Sequence, residues 1–271
     1  MRADEEGADR CDDVHMAFSE LSLPWRARGH SNPRGGLLLC HGFTGSPQSM
    51  RPWAEDHAAR GWAVELPLLP GHGTTEDDLA GTTWQDWYEC VREAALDLSE
   101  DHGPIAVGGL SMGGALTLAL AADSDLQGRI AAVVAVNPGM TLPAAAGVAG
   151  LIAPVVRTLP GIGSDIALPG AAEEAYGRMP VRAVAQLHRL FRRTRRELGA
   201  VQVPLLLATS SVDHTVPPSD SDIVAAGVRG SVERLAMPHS YHLAPLDHDA
   251  QLLFDSSARF LARHVPSPGG R

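Results

Sequence analysis

The run Ile105-Ala106-Val107-Gly108-Gly109-Leu110-Ser111-Met112-Gly113-Gly114 constrains this chain more than any other segment. An apolar, strand-like stretch stops at a serine set between glycines, and a small-residue helical pattern, Gly113 to Ala122, follows at once. Gly109 to Gly113 fit the pattern G-x-S-x-G, which places its serine on a sharp, strained strand-to-helix turn. The glycines are needed there because side chains would collide with neighbouring backbone. The helix N-terminus then aims free N–H groups and its positive dipole end at any negative charge developing beside the serine. Such a pentapeptide arises by chance in roughly one chain of this composition in five, so the strand before it and the helix after it carry the argument. The plainer alternative is a glycine-rich turn whose serine only caps a helix.

The rest of the chain repeats the same alternation. Apolar runs predict strands at Gly36 to Cys40, Trp62 to Leu66, Ile105 to Leu110, Ile130 to Val136, Pro204 to Thr209 and Val232 to Met237. Helical patterns lie between them at Met50 to Arg60 and Thr83 to Glu100, and Asp249 to Ala262 closes the series as an amphipathic helix. Strands alternating with helices imply an α/β fold, a mostly parallel sheet with helices on both faces and reactive groups gathered at the carboxyl ends of the strands. One domain is expected over 1–271, with an acidic tail over about 1–14. Residues from about 139 to 200 break the rhythm with helical patterns and no convincing strand; they are too long for a loop and read as a small inserted helical cap.

Composition narrows the function classes. A formal net charge of −10 argues against nucleic acid as a partner. The three cysteines, Cys11, Cys40 and Cys90, show no paired or clustered spacing, so neither a disulfide framework nor a cysteine metal site is expected. The acidic N-terminus lacks the apolar core of a secretion signal. No long uninterrupted apolar run suggests a membrane span; the nearest, Gly139 to Val156, is broken by Pro143 and Pro154. A cytoplasmic protein, monomer or homodimer, is the expectation.

A serine hydroxyl becomes a useful nucleophile only when a histidine takes its proton and a carboxylate holds that histidine's tautomer. In the order serine, acid, histidine, the acid candidate is Asp213, just past the apolar run Pro204 to Thr209. Asp220 and Asp222 are farther on and read as caps of the next helix. His242, between the run ending at Met237 and the last helix, is the base candidate; His239 competes with it from three residues away. His214, His248 and His264 are read as bystanders. For an oxyanion, the candidate donors are the N–H of Met112 and that of Phe43 in the turn His41-Gly42-Phe43-Thr44-Gly45. His41 reads as a brace for that turn.

Taken together, Leu37 to Gly45, Leu69-Pro70-Gly71-His72-Gly73, Thr83-Trp84-Gln85-Asp86-Trp87, Gly109 to Gly114, Asp213 with Val216-Pro217, and Ser240-Tyr241-His242 with Asp247 occur in order. This series resembles bacterial carboxylesterases and monoacylglycerol lipases with a small helical cap, over roughly 36–261. The resemblance implies an α/β-hydrolase fold and hydrolysis of carboxylic esters without cofactor or metal. It implies a small-molecule substrate with an apolar acyl group, such as a short- to medium-chain ester or a monoacylglycerol. It implies the roles of nucleophile, acid and base for Ser111, Asp213 and His242, with Phe43 and Met112 as oxyanion donors. Tyr241 departs from the glycine common before that histidine and is expected to reshape the pocket mouth.

In the inserted segment, Val181, Val184, Leu187 and Phe191 share one helical face, and Leu151, Ile152, Val155 and Val156 add apolar surface; both sets are candidates for an acyl pocket or for packing on the core. Arg189, Arg192, Arg193, Arg195 and Arg196 form a basic run that reads as a solvated face, with contact to anionic lipid as the second reading. Thioester, amide or carbon–carbon bond cleavage needs the same three side chains, and a non-catalytic ligand receptor of the same fold is the alternative outside enzymology.

Overall fold

The computed structural model describes residues 18–29, 33–143, 146, 147, 149, 153 and 155–266. The acidic tail, Cys11, Leu151 and Ile152 lie outside the described residues. Seven strands form the central sheet: β1 (Trp25–Ala27), β2 (Gly36–Cys40), β3 (Ala63–Leu66), β4 (Ile105–Leu110), β5 (Ile130–Val136), β8 (Leu205–Ser210) and β9 (Val232–Met237). Their order is β1-β3-β2-β4-β5-β8-β9, with β1 antiparallel to β3 and every other pair parallel. The strand β1 is three residues long on the sheet edge, too short to leave a periodic signal in the sequence.

The central strands β2, β4 and β5 are buried on both faces, and their residues alternate between two apolar clusters. Leu38 and Cys40 point into a layer with Trp87 of α3 (Trp84–His102), Leu116 of α4 (Met112–Ala122) and Leu190 of α5 (Val181–Glu197). Leu37 and Leu39 point the other way, toward Trp53 of α1 (Arg51–Ala59) and Phe260 of α7 (Ala250–His264). Continuous apolar runs, rather than alternating ones, follow from that two-sided burial. The helix α3 begins with a capping box, Thr83 and Asp86 satisfying each other's backbone N–H groups. Two short helices, α2 (Glu76–Gly81) and α6 (Ser219–Gly227), also flank the sheet.

Between β5 and β8 the chain forms a two-stranded antiparallel ribbon, β6 (Thr158–Pro160) with β7 (Arg178–Pro180), before α5. Expecting helices alone here missed β6 and β7, whose three-residue strands contain prolines. The buried face of α5, including Leu187, Leu190 and Phe191, packs on the first cluster, and Thr194 donates to the Ala115 carbonyl at 3.3 Å. Arg189, Arg192, Arg195 and Arg196 are exposed as read from the sequence. Arg193 instead lies over the rings of Trp84 and Tyr88 and fastens α5 to α3.

Parallel register brings the strand ends into a row. Cys40 lies opposite Gly109, Leu110 opposite Val136, and Val136 opposite Ala208. The residues after those strands therefore meet along one edge.

Candidate active site

Ser111 joins β4 to α4 with φ 57° and ψ −115°, a conformation L-residues adopt only under strain. Its N–H donates to the Val136 carbonyl at 2.9 Å, and its carbonyl accepts from Ala115 N at 3.1 Å, which holds the turn. A Cβ on Gly113 would lie 2.1 Å from the Cys40 carbonyl oxygen, and one on Gly109 would lie 2.3 Å from the Gly113 backbone. The glycines are required by backbone packed against backbone. Gly42 passes so near that its Cβ would be 3.6 Å from that of Ser111, which sets the turn after β2 directly over the serine. As the first residue of α4, Met112 has an N–H with no acceptor within the helix.

That turn is braced from behind. His41 is buried; its Nε2 accepts from Leu69 N at 3.1 Å while Nδ1 faces the Gly42 carbonyl at 2.9 Å. Burial drops its pKa to about 4, so it stays neutral and keeps this one tautomer. His72, held neutral by burial and by His41 with a pKa of about 3, packs edge-on against His41, Phe43 and Trp87. The segments His41 to Gly45, Pro70 to Gly73 and Trp84 to Trp87 thus converge in one aromatic cluster. Tyr176 ties them to the inserted segment: its N–H donates to Thr44 O, its hydroxyl donates to Gly71 O, and Thr74 N donates to that hydroxyl.

Asp213 and His242 meet at the ends of β8 and β9. His242 Nδ1 lies 2.7 Å from Asp213 Oδ2, with both side chains buried. The other carboxylate oxygen, Oδ1, accepts from Thr215 N at 2.8 Å and Val216 N at 2.7 Å, so the acid is fixed in its loop. The imidazole is fixed through its backbone by Asn137, a residue absent from the sequence reading. Asn137 sits just past β5 at φ 43°, donates from Nδ2 to His242 O at 2.8 Å and to Ser210 Oγ at 3.0 Å, and accepts from Ser210 N at 2.8 Å. Only its place directly after an apolar strand could have flagged it.

The competing histidines fall elsewhere. His239 is exposed, and its backbone N–H donates to Asp249. His214 is paired with Asp165, and Tyr241 packs against the His214 ring instead of lining the pocket mouth. Asp220 does not cap α6: its buried carboxylate accepts from Met140 N, Thr141 N and the Thr141 hydroxyl, which secures the chain leaving β5.

Ser111, Phe43 and His242 line one cleft of about 60 Å³, walled by Leu187 and Phe191 of α5. Ile162 at its edge is half exposed. Val155 and Val156 are exposed, while Val181 and Val184 pack in a separate cluster, so of the apolar candidates Leu187 and Phe191 reach the cleft. Glu173 also lines it, with a carboxyl oxygen 2.5 Å from where a Gly45 Cβ would stand. Desolvation raises its pKa to about 8, leaving it protonated at neutral pH. Among the described residues, Cys40 and Cys90 are free thiols, no three acidic, histidine or cysteine side chains are grouped to hold a metal ion, and no helix is long and apolar enough to cross a membrane.

Residues 37–255 match the model of the alpha/beta hydrolase family. The chain belongs to that family. This hydrolase is 41% identical over 232 residues to a thermostable monoacylglycerol lipase of Bacillus sp. (strain H-257), covering 85% of this chain and 91% of the relative. Among solved structures, one of two metagenome-derived lipolytic enzymes superposes with a TM-score of 0.86 at 36% identity, over 90% of this chain and 99% of the other. The monoacylglycerol lipase of Paleococcus ferrophilus matches with a TM-score of 0.71 at 16% identity, covering 89% and 99%, a likeness of fold.

Proposed function

We propose that this hydrolase cleaves carboxylic esters with short to medium acyl chains, monoacylglycerols among them, through an acyl-enzyme on Ser111. The observation that carries this reading is the 2.7 Å bond from His242 Nδ1 to Asp213 at the cleft that Ser111 also lines. Asp213 keeps the proton on Nδ1 and leaves the Nε2 lone pair to take the Ser111 proton. Ser111 Oγ attacks the ester carbonyl carbon, and the Phe43 and Met112 N–H groups bind the resulting oxyanion. As the carbon–oxygen bond to the alcohol breaks, His242 returns the proton to the departing oxygen. Water repeats the cycle on the acyl-enzyme and releases the acid with Ser111 restored.

The cleft offers two kinds of wall. Leu187, Phe191 and Ile162 suit an acyl chain, which leaves at the half-exposed Ile162. The protonated Glu173 carboxyl supplies a hydrogen-bond donor beside the Phe43 turn and suits a hydroxylated alcohol such as glycerol. The inserted segment acts as a cap, since Leu142, Ile162, Glu173, Leu187 and Phe191 all come from it. Among the described residues, the free thiols Cys40 and Cys90 suit a reducing compartment such as the cytoplasm.

The test is turnover across p-nitrophenyl esters from acetate to palmitate, alongside monoacylglycerols, with Ser111→Ala as control. Turnover that peaks at one chain length and vanishes in the variant supports the reading. Inactivity on every ester by a folded protein overturns it.

A further inference from the structure

One carboxylate of the inserted segment touches both loops that carry the proposed acid and base. Asp165 lies between β6 and β7, and its side chain is largely buried. Its Oδ1 is 2.7 Å from His214 Nδ1, and its Oδ2 accepts from His214 N at 2.9 Å and from His242 N at 3.3 Å. Its own backbone carbonyl accepts from Leu243 N at 3.1 Å. Asp247 returns the connection from the other side, accepting from Ala167 N and Leu168 N of the inserted segment and from Tyr241 N beside the histidine.

We propose that Asp165 is a positioning residue that holds the His242 loop and the Asp213 loop in register, so that the inserted segment is part of what aims the base at Ser111. The reasoning follows the backbone of His242. Its carbonyl is held by Asn137 from the sheet, and its N–H by Asp165 from the inserted segment. An imidazole has two side-chain torsions, so once Asp213 fixes Nδ1 the remaining freedom lies in the loop. Asp165 removes it by binding the N–H groups of residues 214, 242 and 243 together. The carboxylate takes the N–H groups of 214 and 242 and the backbone carbonyl that of 243; bonds to a charged acceptor are stronger than those to a neutral one, which suits a clamp between two loops. Residues that touch no substrate can still set such geometry, and a displacement of about 1 Å at a reacting group can cost about 100-fold in rate.

The inference rests on the proposed roles of Ser111, Asp213 and His242. Its test compares Asp165→Ala and the isosteric Asp165→Asn with the parent enzyme and with Ser111→Ala, using p-nitrophenyl butyrate and counting active sites by phosphonate labelling. The expected result is a kcat per active site lowered by about 10- to 100-fold in Asp165→Ala, with KM changed by less than about twofold. Asp165→Asn, which keeps an oxygen for His242 N but loses the charge, should fall between the two. The proton resonance of His242 Nδ1 should shift or broaden in both variants. A merely structural carboxylate would lower Tm and leave kcat per active site intact, and that outcome overturns the proposal. So does a loss confined to KM. If Asp165→Ala does not fold, Asp165→Asn alone decides between these results. Full turnover by Asp165→Ala beside a dead Ser111→Ala removes the positioning role only. Turnover retained by Ser111→Ala removes the triad and this inference with it.

Discussion

Replacing Asn137 tests how the sheet supports the histidine. The side chain is buried and makes three hydrogen bonds, to His242 O, Ser210 Oγ and Ser210 N. Each contributes about 0.5–1.5 kcal/mol, and Asn137→Ala leaves the Ser210 N–H and the His242 carbonyl unpaired in the interior, which moves the loss toward the upper end. The backbone at φ 43° adds about 1 kcal/mol, because alanine tolerates the left-handed region less well than asparagine. The sum is a destabilisation of about 3–5 kcal/mol. With an unfolding slope of about 3 kcal/mol per molar urea, the midpoint should fall by roughly 1–1.7 M. Asn137→Gly loses the same bonds without the steric penalty, so its midpoint should differ from that of alanine by the backbone term alone. The assay is urea unfolding followed by fluorescence and circular dichroism, with coincident transitions required. The freed His242 carbonyl should also lower kcat by about tenfold in the protein that remains folded. A midpoint within about 0.3 M of the parent, with unchanged kcat, would refute the reasoning.

Three further outcomes follow from the geometry. Glu173, with a folded pKa raised to about 8 above its ordinary value, favours the folded state at acidic pH, and that contribution is lost as pH rises from about 4.5 through about 8. Against Glu173→Gln, the parent should therefore lose stability over that window; parallel stability curves would contradict it. The same ionisation puts a negative charge beside the proposed oxyanion site, so kcat/KM should show an alkaline decline that Glu173→Gln lacks. Gly113→Ala has to displace the Cys40 carbonyl from a contact of 2.1 Å and should yield insoluble or inactive protein, whereas a well-folded active variant would show that the strand and helix part easily.

The parts of this molecule that were legible in the sequence are those built from continuous apolar runs. Such runs mark strands buried on two faces, and Ile105 to Leu110 and Ile130 to Val136 end where the sequence placed them. The serine turn was legible because backbone packing admits only glycine at 109 and 113. The short pieces β1, β6 and β7 were not, since three residues carry no period. The polar scaffold was also hidden. Asn137, Asp165, Asp220 and Tyr176 act across 77 to 132 residues of sequence where they meet the histidine loop, the chain leaving β5 or the Phe43 turn, and such pairings depend on tertiary register rather than local spacing. Tyr241 shows the converse: its place beside His242 suggested the pocket, but its ring turns to His214.

The most direct measurement is to label the protein with a fluorophosphonate, digest it and locate the adduct by mass spectrometry while following loss of esterase activity. The account predicts one adduct, on Ser111, forming in step with inactivation, and no labelling after His242→Ala on the same timescale. An adduct on another residue, or full activity with Ser111 modified, would contradict it.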